Sequence, residues 1–177
     1  MKNVLSFEWL TKKNISEMDL IRRLLLKNYN LVDLEPEILD SVISGECKQF
    51  YPIIDYAIIK VNNKSVGLIG QYNSFLFKND LWLGWAGILP EFHDKKKSYM
   101  KNAMKLWEAY VKKKYPNIDH LRAYISKSKE KDDLIYLKDL GYKLEKGMYK
   151  HYQDDDIIIL SKCLKGEYRP WTRKPVW

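Results

Sequence analysis

A short polar run in the middle of the chain has the residue types and the position of an anion site. It covers His93–Ser98, contains three lysines, and follows the triplet Pro90–Phe92. Before it, Leu81–Leu89 is apolar on both faces and predicts a central strand; after it, Ser98–Lys114 carries the apolar stripe of an amphipathic helix. A strand that enters a helix through a short turn leaves the first helical N–H groups without intrahelical partners, and such groups bind phosphates. The pattern predicts a phosphate site at this turn, with an ordinary solvated charge run as the alternative.

Other residues that could take part in chemistry near this turn are few. Asp80, Glu91 and His93 lie near predicted strand ends and are candidate proton acceptors, but the sequence does not choose among them. The three histidines lack metal-ligand spacing, so no metal site is predicted. Neither Cys47 nor Cys163 has a histidine close in sequence that would suggest a nucleophile.

The hydrophobic pattern divides the rest of the chain into short strands and amphipathic helices. The predicted strands cover Val4–Leu10, Tyr56–Val61, Ser65–Tyr72, Leu81–Leu89, His120–Ile125, Tyr142–Tyr152 and Ile157–Leu160. The predicted helices run from a Ser16 cap to a loop that begins at Asn28, and over Glu37–Ser44, Ser98–Lys114 and Glu130–Leu140. Asn62–Asn63 is a turn that joins two strands as a hairpin. The order β-α-α-β-β-β-α-β-α-β-β predicts an α/β (α+β) fold with helices on both faces of a mixed sheet.

Composition limits the class of protein. The chain has 177 residues, 46% of them hydrophobic, which predicts one globular domain. Its 31 basic and 23 acidic residues give a net charge of +8, which favours anionic partners. The two cysteines form no disulfide or metal pattern, and no apolar run reaches transmembrane length or forms a signal-peptide core. We therefore expect a cytoplasmic protein that does not enter a membrane.

The segment GWAGILPEFHDKKKSYMKNAMKLWE resembles the acyl-CoA-binding motif of the GNAT superfamily of N-acetyltransferases. In that motif a strand ends near a Pro-acidic-aromatic triplet, and Gln/Arg-x-x-Gly-x-Gly/Ala and a helix follow. Pro90–Phe92 matches the triplet. His93 stands where Gln or Arg is usual, Lys96 where the first Gly is usual, and Ser98 where the small residue is usual. The loop is therefore a degenerate form of the motif, in which Lys96 either obstructs the phosphates or pairs with them.

The resemblance extends over about residues 4 to 164. The closing segment LIYLKDLGYKLEKGMYKHYQDDDIIILSKCL is similar to the last helix, the Leu-Gly-aromatic turn and the final hairpin of the family. It implies a GNAT-like mixed, mostly antiparallel sheet of six to seven strands with about four helices. We accordingly divide the chain into a GNAT-like domain, 1–164, and a basic and aromatic C-terminal tail, 165–177.

The resemblance also implies the reaction. A GNAT-like protein is an acyl-CoA-dependent N-acyltransferase, here expected to transfer acetyl from acetyl-CoA to a primary amine by direct attack. The backbone of Ala86–Leu89 would hold the pantetheine and polarise the thioester carbonyl. The acceptor amine is unknown; in the family its pocket corresponds to Leu31–Glu46 and Gln153–Asp156. The residues implied to bind the CoA thioester are Ile88, Leu89, His93, Asp94, Lys95, Lys96, Lys97, Ser98 and Tyr99.

Many members of the family protonate the departing thiolate with a tyrosine on the closing helix. In this chain Leu137 stands at that position, and Tyr136 precedes it by one residue, about 100° around a helix. Tyr136 is thus the candidate catalytic acid, and the alternative makes it a packing residue. Because the loop glycines and the usual tyrosine are both missing, the alternative function is a catalytically degenerate GNAT-fold binding module.

The tail from Lys162 to Trp177 contains five basic residues and one acidic residue, with Tyr168, Trp171 and Trp177 between them. Such a pattern binds nucleic acid by charge and stacking, and it can equally pack its aromatics on the domain or on a second subunit. Packing is favoured, because dense aromatics rarely remain exposed to water. The expected partners are a CoA thioester and an amine, with nucleic acid as the less favoured alternative, in a monomer or a homodimer.

Overall fold

The centre of the molecule is a mixed β-sheet. The computed structural model describes residues 4–29, 37–73, 75–126, 137–145, 149–150 and 156–171. The strands are β1 (Leu5–Trp9), β2 (Ile54–Val61), β3 (Lys64–Tyr72), β4 (Asp80–Ile88), β5 (His120–Ser126), β6 (Lys143–Leu144), β7 (Tyr149–Lys150) and β8 (Asp156–Cys163). Their order in the sheet is β1-β2-β3-β4-β5-β8-β6, and the two-residue β7 also pairs with β8. The central position predicted for β4 is therefore confirmed.

Helices cover both faces of this sheet. The described α-helices are α1 (Ile15–Tyr29), α2 (Glu37–Ser44) and α3 (Lys96–Lys114). Short 3-10 helices cover Glu46–Gln49, Phe75–Phe77 and Pro90–Lys95. One core cluster forms under α3 and a second under α1 and α2. The predicted fold class, a mixed and mostly antiparallel sheet with helices on both faces, is confirmed.

Two helices begin earlier than the sequence predicts. α1 starts at Ile15 and not after a Ser16 cap, because the buried Asn14 organises the entry to the helix. The Asn14 carbonyl accepts the N–H of Met18, its side-chain oxygen accepts the N–H of Thr11, and its amide donates to the Trp9 carbonyl. α3 starts at Lys96 because a 3-10 helix leads directly into it.

The predicted apolar stripe of α3 is buried as expected. Trp107 is fully enclosed, and its indole N–H donates to the side-chain oxygen of Gln71 in β3 at 2.8 Å. Met100, Met104 and Val111 face the same cluster. Burial of such an apolar stripe, rather than helix propensity, supplies most of the stability of a helix in this position.

The two-residue turn between β2 and β3 is also confirmed. Asn62 and Asn63 have φ values of 49° and 65°. Two successive residues with positive φ form a type I′ turn, whose twist matches that of a two-residue hairpin. The predicted helix Glu130–Leu140 is described only from Leu137 to Leu140, and of these residues 137–139 are helical. Tyr136 and residues 153–155 lie outside the described residues.

Candidate functional site

β4 and β5 separate at their carboxyl ends. Every described strand pair is antiparallel except this one. The two strands pair only from Asp80 with His120 to Trp82 with Arg122. Beyond that point β4 continues to Ile88 along β3, while β5 continues to Ser126 along β8. The backbones thus form a V, and the carboxyl ends of parallel strands are where α/β sheets bind ligands.

An irregularity in β4 lies at the vertex of this V. The register between β3 and β4 shifts between Ile69 and Gln71, where Gly70 faces the Gly84 region. A Cβ on Gly84 would lie 3.1 Å from the carbonyl carbon of Gly70. A Cβ on Gly70 would lie 2.5 Å from the ring of Tyr56. Gly70 therefore leaves room for the ring of Tyr56 from β2, and a side chain on Gly84 would press on the backbone of Gly70. The bulge between the two strands turns the following residues of β4.

The backbone of β4 beyond the bulge faces the V at alternate residues. Leu89 donates its N–H to the carbonyl of Val66 at 2.8 Å, so Leu89 and Gly87 direct their backbone groups to the β3 side. By the same alternation, the N–H and C=O groups of Ala86 and Ile88 point to the side from which β5 has departed. This is the segment whose backbone the family resemblance implies for holding the acyl donor.

The turn after β4 consists of 3-10 helical turns. Pro90–Lys95 forms 3-10 turns with a kink at Phe92, and α3 follows without a gap. Among the described residues, positive φ occurs only at Gly45, Asn62, Asn63, Gly141 and Gly166, so no residue of this turn needs glycine for its backbone conformation. The sequence predicted a sharp turn with open amides, but the N–H of Lys96 already donates to the His93 carbonyl. The next three amides, Lys97 to Tyr99, belong to the first turn of α3.

The predicted CoA-binding residues are brought together around this turn. Lys96 is half-buried, while Ile88 and Leu89 are buried at the end of β4. Tyr99 faces the core, where its ring lies 6.2 Å from that of Phe92. The exposed members are His93, Asp94, Lys95, Lys97 and Ser98. The described geometry therefore joins a helix start, exposed cationic side chains and the open side of β4 at one edge of the sheet.

The three candidate proton acceptors do not lie together. Glu91 is exposed and lies 3.6 Å from the ammonium of Lys64, and His93 is exposed on the turn. Asp80 begins β4, about 26 Å from the turn at the rise of an extended strand. It is buried there beside the guanidinium of Arg122 at 3.3 Å, which gives it a structural partner far from the V.

A buried polar network around Arg122 was not predicted. The guanidinium of Arg122, 2% exposed, donates to Glu145 at 3.0 Å and to Ser161 at 2.5 Å, and also contacts Asp80. These partners are distant in sequence, so they meet only through the pairing of β5 with β4 and with β8, and of β8 with β6. A buried ion pair adds little net stability compared with apolar packing, but removal of one partner leaves an uncompensated buried charge.

The described part of the tail packs over this network. Arg169 donates its N–H to Nε2 of His120 at 2.9 Å, and its carbonyl accepts from Arg122 at 2.8 Å. Burial, followed by the charge of Arg122, lowers the pKa of His120, which is therefore neutral and accepts this bond. The hydroxyl of Tyr168 donates to Glu145, and Trp171 is 5% exposed. Trp171 is thus a packing residue, as favoured by the sequence, and is not available for base stacking.

Two further classes of site are absent from the described part of the chain. It contains no group of three or more His, Cys, Asp or Glu residues placed to hold a metal ion. None of its helices combines the length and the hydropathy needed to cross a lipid bilayer.

Leu137, at the position of the usual catalytic tyrosine, is 1% exposed and belongs to the α3 core cluster.

Comparison with solved structures identifies the fold. Ard1 from Thermoplasma volcanium superposes with a TM-score of 0.65 at 11% identity, covering 92% of this chain and 99% of that one. A protein from Desulfovibrio desulfuricans assigned to the GNAT family of acetyltransferases gives 0.68 at 13% identity, with 92% and 100% covered. A spermidine N-acetyltransferase from Vibrio cholerae, solved with CoA and spermine, gives 0.70 at 9% identity, with 90% and 95% covered.

No family model and no curated protein sequence gives a significant match. At these identities the likeness is one of fold, and the fold is that of the GNAT acetyltransferases.

Proposed function

We propose that this protein is an acyl-CoA-dependent N-acyltransferase that transfers acetyl from acetyl-CoA to a primary amine. The observation that carries the proposal is the V between β4 and β5, which opens at the edge where α3 begins. The structural neighbours support the same function, since the solved structures of like fold include N-acetyltransferases with CoA bound. The chain belongs with these enzymes in function if the V binds a CoA thioester.

The proposed donor site uses mostly backbone groups. The pantetheine arm of acetyl-CoA would lie in the V and bond to the backbone groups of Ala86 that face the side of β5, as an added strand bonds to a sheet edge. A backbone N–H aimed at the thioester oxygen stabilises the negative charge that develops when an amine attacks the carbonyl carbon. Because backbone groups are independent of side-chain identity, this part of the site tolerates a divergent sequence.

The proposed phosphate site combines the start of α3 with its lysines. The amides of Lys97, Ser98 and Tyr99 lie in the first turn, where the helix dipole favours an anion. Lys95, Lys96 and Lys97 would contribute point charges to the phosphates. Lys96 has helical dihedrals, φ −48° and ψ −52°, so a glycine would relieve no backbone strain there. We infer that Lys96 pairs with phosphate and does not obstruct it.

Calorimetric titration with acetyl-CoA tests the proposal. Wild-type protein should bind acetyl-CoA, and Lys96→Ala should bind it several-fold more weakly, because one phosphate contact is lost. Lys113→Ala, which removes an exposed lysine at the other end of α3, is the matched control and should bind like wild type. Absence of binding at millimolar acetyl-CoA would refute the transferase. Tighter binding by Lys96→Ala would instead identify Lys96 as an obstruction.

The second candidate function is a binding module that keeps the fold and lacks catalysis. It is favoured by Leu137, a buried core residue at the position of the usual tyrosine. Measurement of CoA release distinguishes the two functions, since a binding module would bind acetyl-CoA and release no CoA when primary amines are added. The sequence-based candidate for the proton donor, Tyr136, is tested below.

A further inference from the structure

Three tyrosine side chains converge above the vertex of the V. Tyr124 lies on β5 two residues beyond Arg122, which is the last residue of β5 paired with β4. Ala123 points into the α3 core, so Tyr124 is on the opposite face, where it packs against the cluster of Trp82 and Trp171. It is half-buried, and it is the first side chain on that face after β5 has left β4.

Tyr56 and Tyr72 approach the same point from β2 and β3. Burial raises the pKa of both phenols, and the charge of a Tyr124 phenolate raises each of them further. Tyr72 packs against the same cluster of Trp82 and Trp171 as Tyr124, and Tyr56 stands opposite Gly70 in the register of β2 and β3. The ring of Tyr56 reaches across because Gly70 offers no side chain beneath it. A group of phenols therefore stands over the glycines of the bulge, at the vertex of the V.

The proposed reaction needs a proton donor at this place. When the amine nitrogen attacks the thioester carbon, an N–C bond forms, the C–S bond breaks, and sulfur leaves with the electron pair. The nitrogen loses one proton and the sulfur must gain one, so a group beside the sulfur that donates a proton lowers the barrier. Leu137 offers no such group, and a thioester held along β4 places its sulfur near the bulge rather than near the exposed turn.

We propose that Tyr124 is the catalytic acid that protonates the sulfur of the departing CoA. The inference rests on the proposed acetyltransferase function and assigns the role to a strand residue. Tyr124 gives its hydroxyl proton to the thiolate, and the resulting phenolate regains a proton from water, which has taken the one released by the amine. Tyr56, 4% exposed, lies farther from the V on the second strand beyond β4, which leaves Tyr124 as the phenol on the separating strand.

The test measures ionisation of the CoA thiol in its complex with the protein, and so needs no known acceptor. A phenol that donates to the bound thiolate lowers the thiol pKa. Replacing it in Tyr124→Phe should reduce the ionisation constant of bound CoA about tenfold, because a hydrogen bond to a charged group is lost. Ultraviolet absorbance of the thiolate, followed against pH, reports this constant directly. At a pH where the thiol is protonated, the affinity for CoA should remain that of the wild type, since the lost bond is made to the thiolate.

Two control variants sharpen the result. Tyr110→Phe changes a half-buried tyrosine of α3 and should leave the thiol ionisation unchanged. Tyr136→Phe tests the sequence-based candidate, and a change in that variant without one in Tyr124→Phe would overturn the assignment. Unchanged ionisation in Tyr124→Phe with normal CoA binding would also overturn it and would leave the acetyltransferase intact. Failure of wild type to bind CoA would remove both proposals together.

If Tyr124→Phe fails to fold, a second substitution still tests the proposal. Fluorotyrosine at position 124 keeps the shape of the side chain and lowers the phenol pKa. If Tyr124 contacts the sulfur, the pH profile of thiol ionisation should shift with fluorination. A purely structural role for the side chain predicts no shift.

Discussion

The carboxyl group of Asp55 makes stability depend on pH in the opposite sense to an ordinary surface carboxylate. Asp55 lies on β2, and its carboxylate accepts the N–H of Tyr56 at 2.9 Å. Burial raises its pKa from 3.8 to about 6, although that hydrogen bond and the charges of Lys114 and Lys48 act in the other direction. The folded protein therefore holds this proton to a higher pH than the unfolded chain does. Stability is greatest below about pH 4 and is lost as the pH rises through about 6.

The magnitude follows from the separation of the two pKa values. A difference of about two pH units corresponds to about 3 kcal/mol, and partial exposure of the side chain reduces this to about 1–3 kcal/mol. Asp55→Asn keeps an oxygen that can accept the Tyr56 N–H and removes the charge. We expect the variant to be more stable than wild type by that amount at about pH 8 and equal to it near pH 4.

Urea unfolding curves at several pH values measure this difference. Asp119→Asn is the control of opposite sign, because a hydrogen bond from Asn79 and the charges of Lys165 and Arg169 lower the pKa of Asp119. At about pH 8 the Asp119→Asn variant should be less stable than wild type, and this difference should disappear as the pH falls below about 4. If the free energies of unfolding of Asp55→Asn and wild type differed by the same amount at all pH values, the raised pKa of the Asp55 carboxyl group would be refuted.

Two more substitutions test the packing that holds the site. Arg122→Met leaves the buried carboxylates of Asp80 and Glu145 without their cation. Urea unfolding at neutral pH should show a loss of about 3–5 kcal/mol of unfolding free energy. Lys101→Met, which breaks an exposed ion pair, is the control and should lose less than about 1 kcal/mol. Gly67→Ala would place a Cβ 2.1 Å from the Gly87 carbonyl oxygen. Thermal unfolding should therefore show a lower melting temperature, equivalent to a loss of about 1–3 kcal/mol or more of unfolding free energy. A variant as stable as wild type would contradict this close approach.

Local chemistry made much of the fold predictable. The apolar run before Pro90 predicted the central strand, since proline cannot continue a sheet ladder. The pair Asn62–Asn63 predicted a turn because asparagine tolerates positive φ, and the structure has both residues there. The stripe along α3 predicted which side of that helix is buried. Each of these signals lies within a few residues of the structure that it specifies.

The separation of β4 from β5 could not be predicted in this way. It depends on the register of two strands about 40 residues apart, which no local pattern in either strand reports. The network around Arg122 likewise joins residues from β4, β5 and β8 with Glu145, which directly follows β6. The 3-10 conformation of the turn was missed because Glu91–Lys95 carries no strong local signal between helix and loop.

Glycine is not required in the turn after β4, but it is required at close contacts within the strands. In the turn, every residue has negative φ, so lysine and serine are accommodated and the remaining question is contact with phosphate. In the strands, a Cβ on Gly87 would lie 2.9 Å from a methyl carbon of Leu25, and that contact brings α1 against β4 beside the V. Substitution in the turn should therefore change affinity for CoA while stability changes little. Substitution at Gly87 should move α1 and reduce stability first, because the close approach is between a helix and the sheet itself.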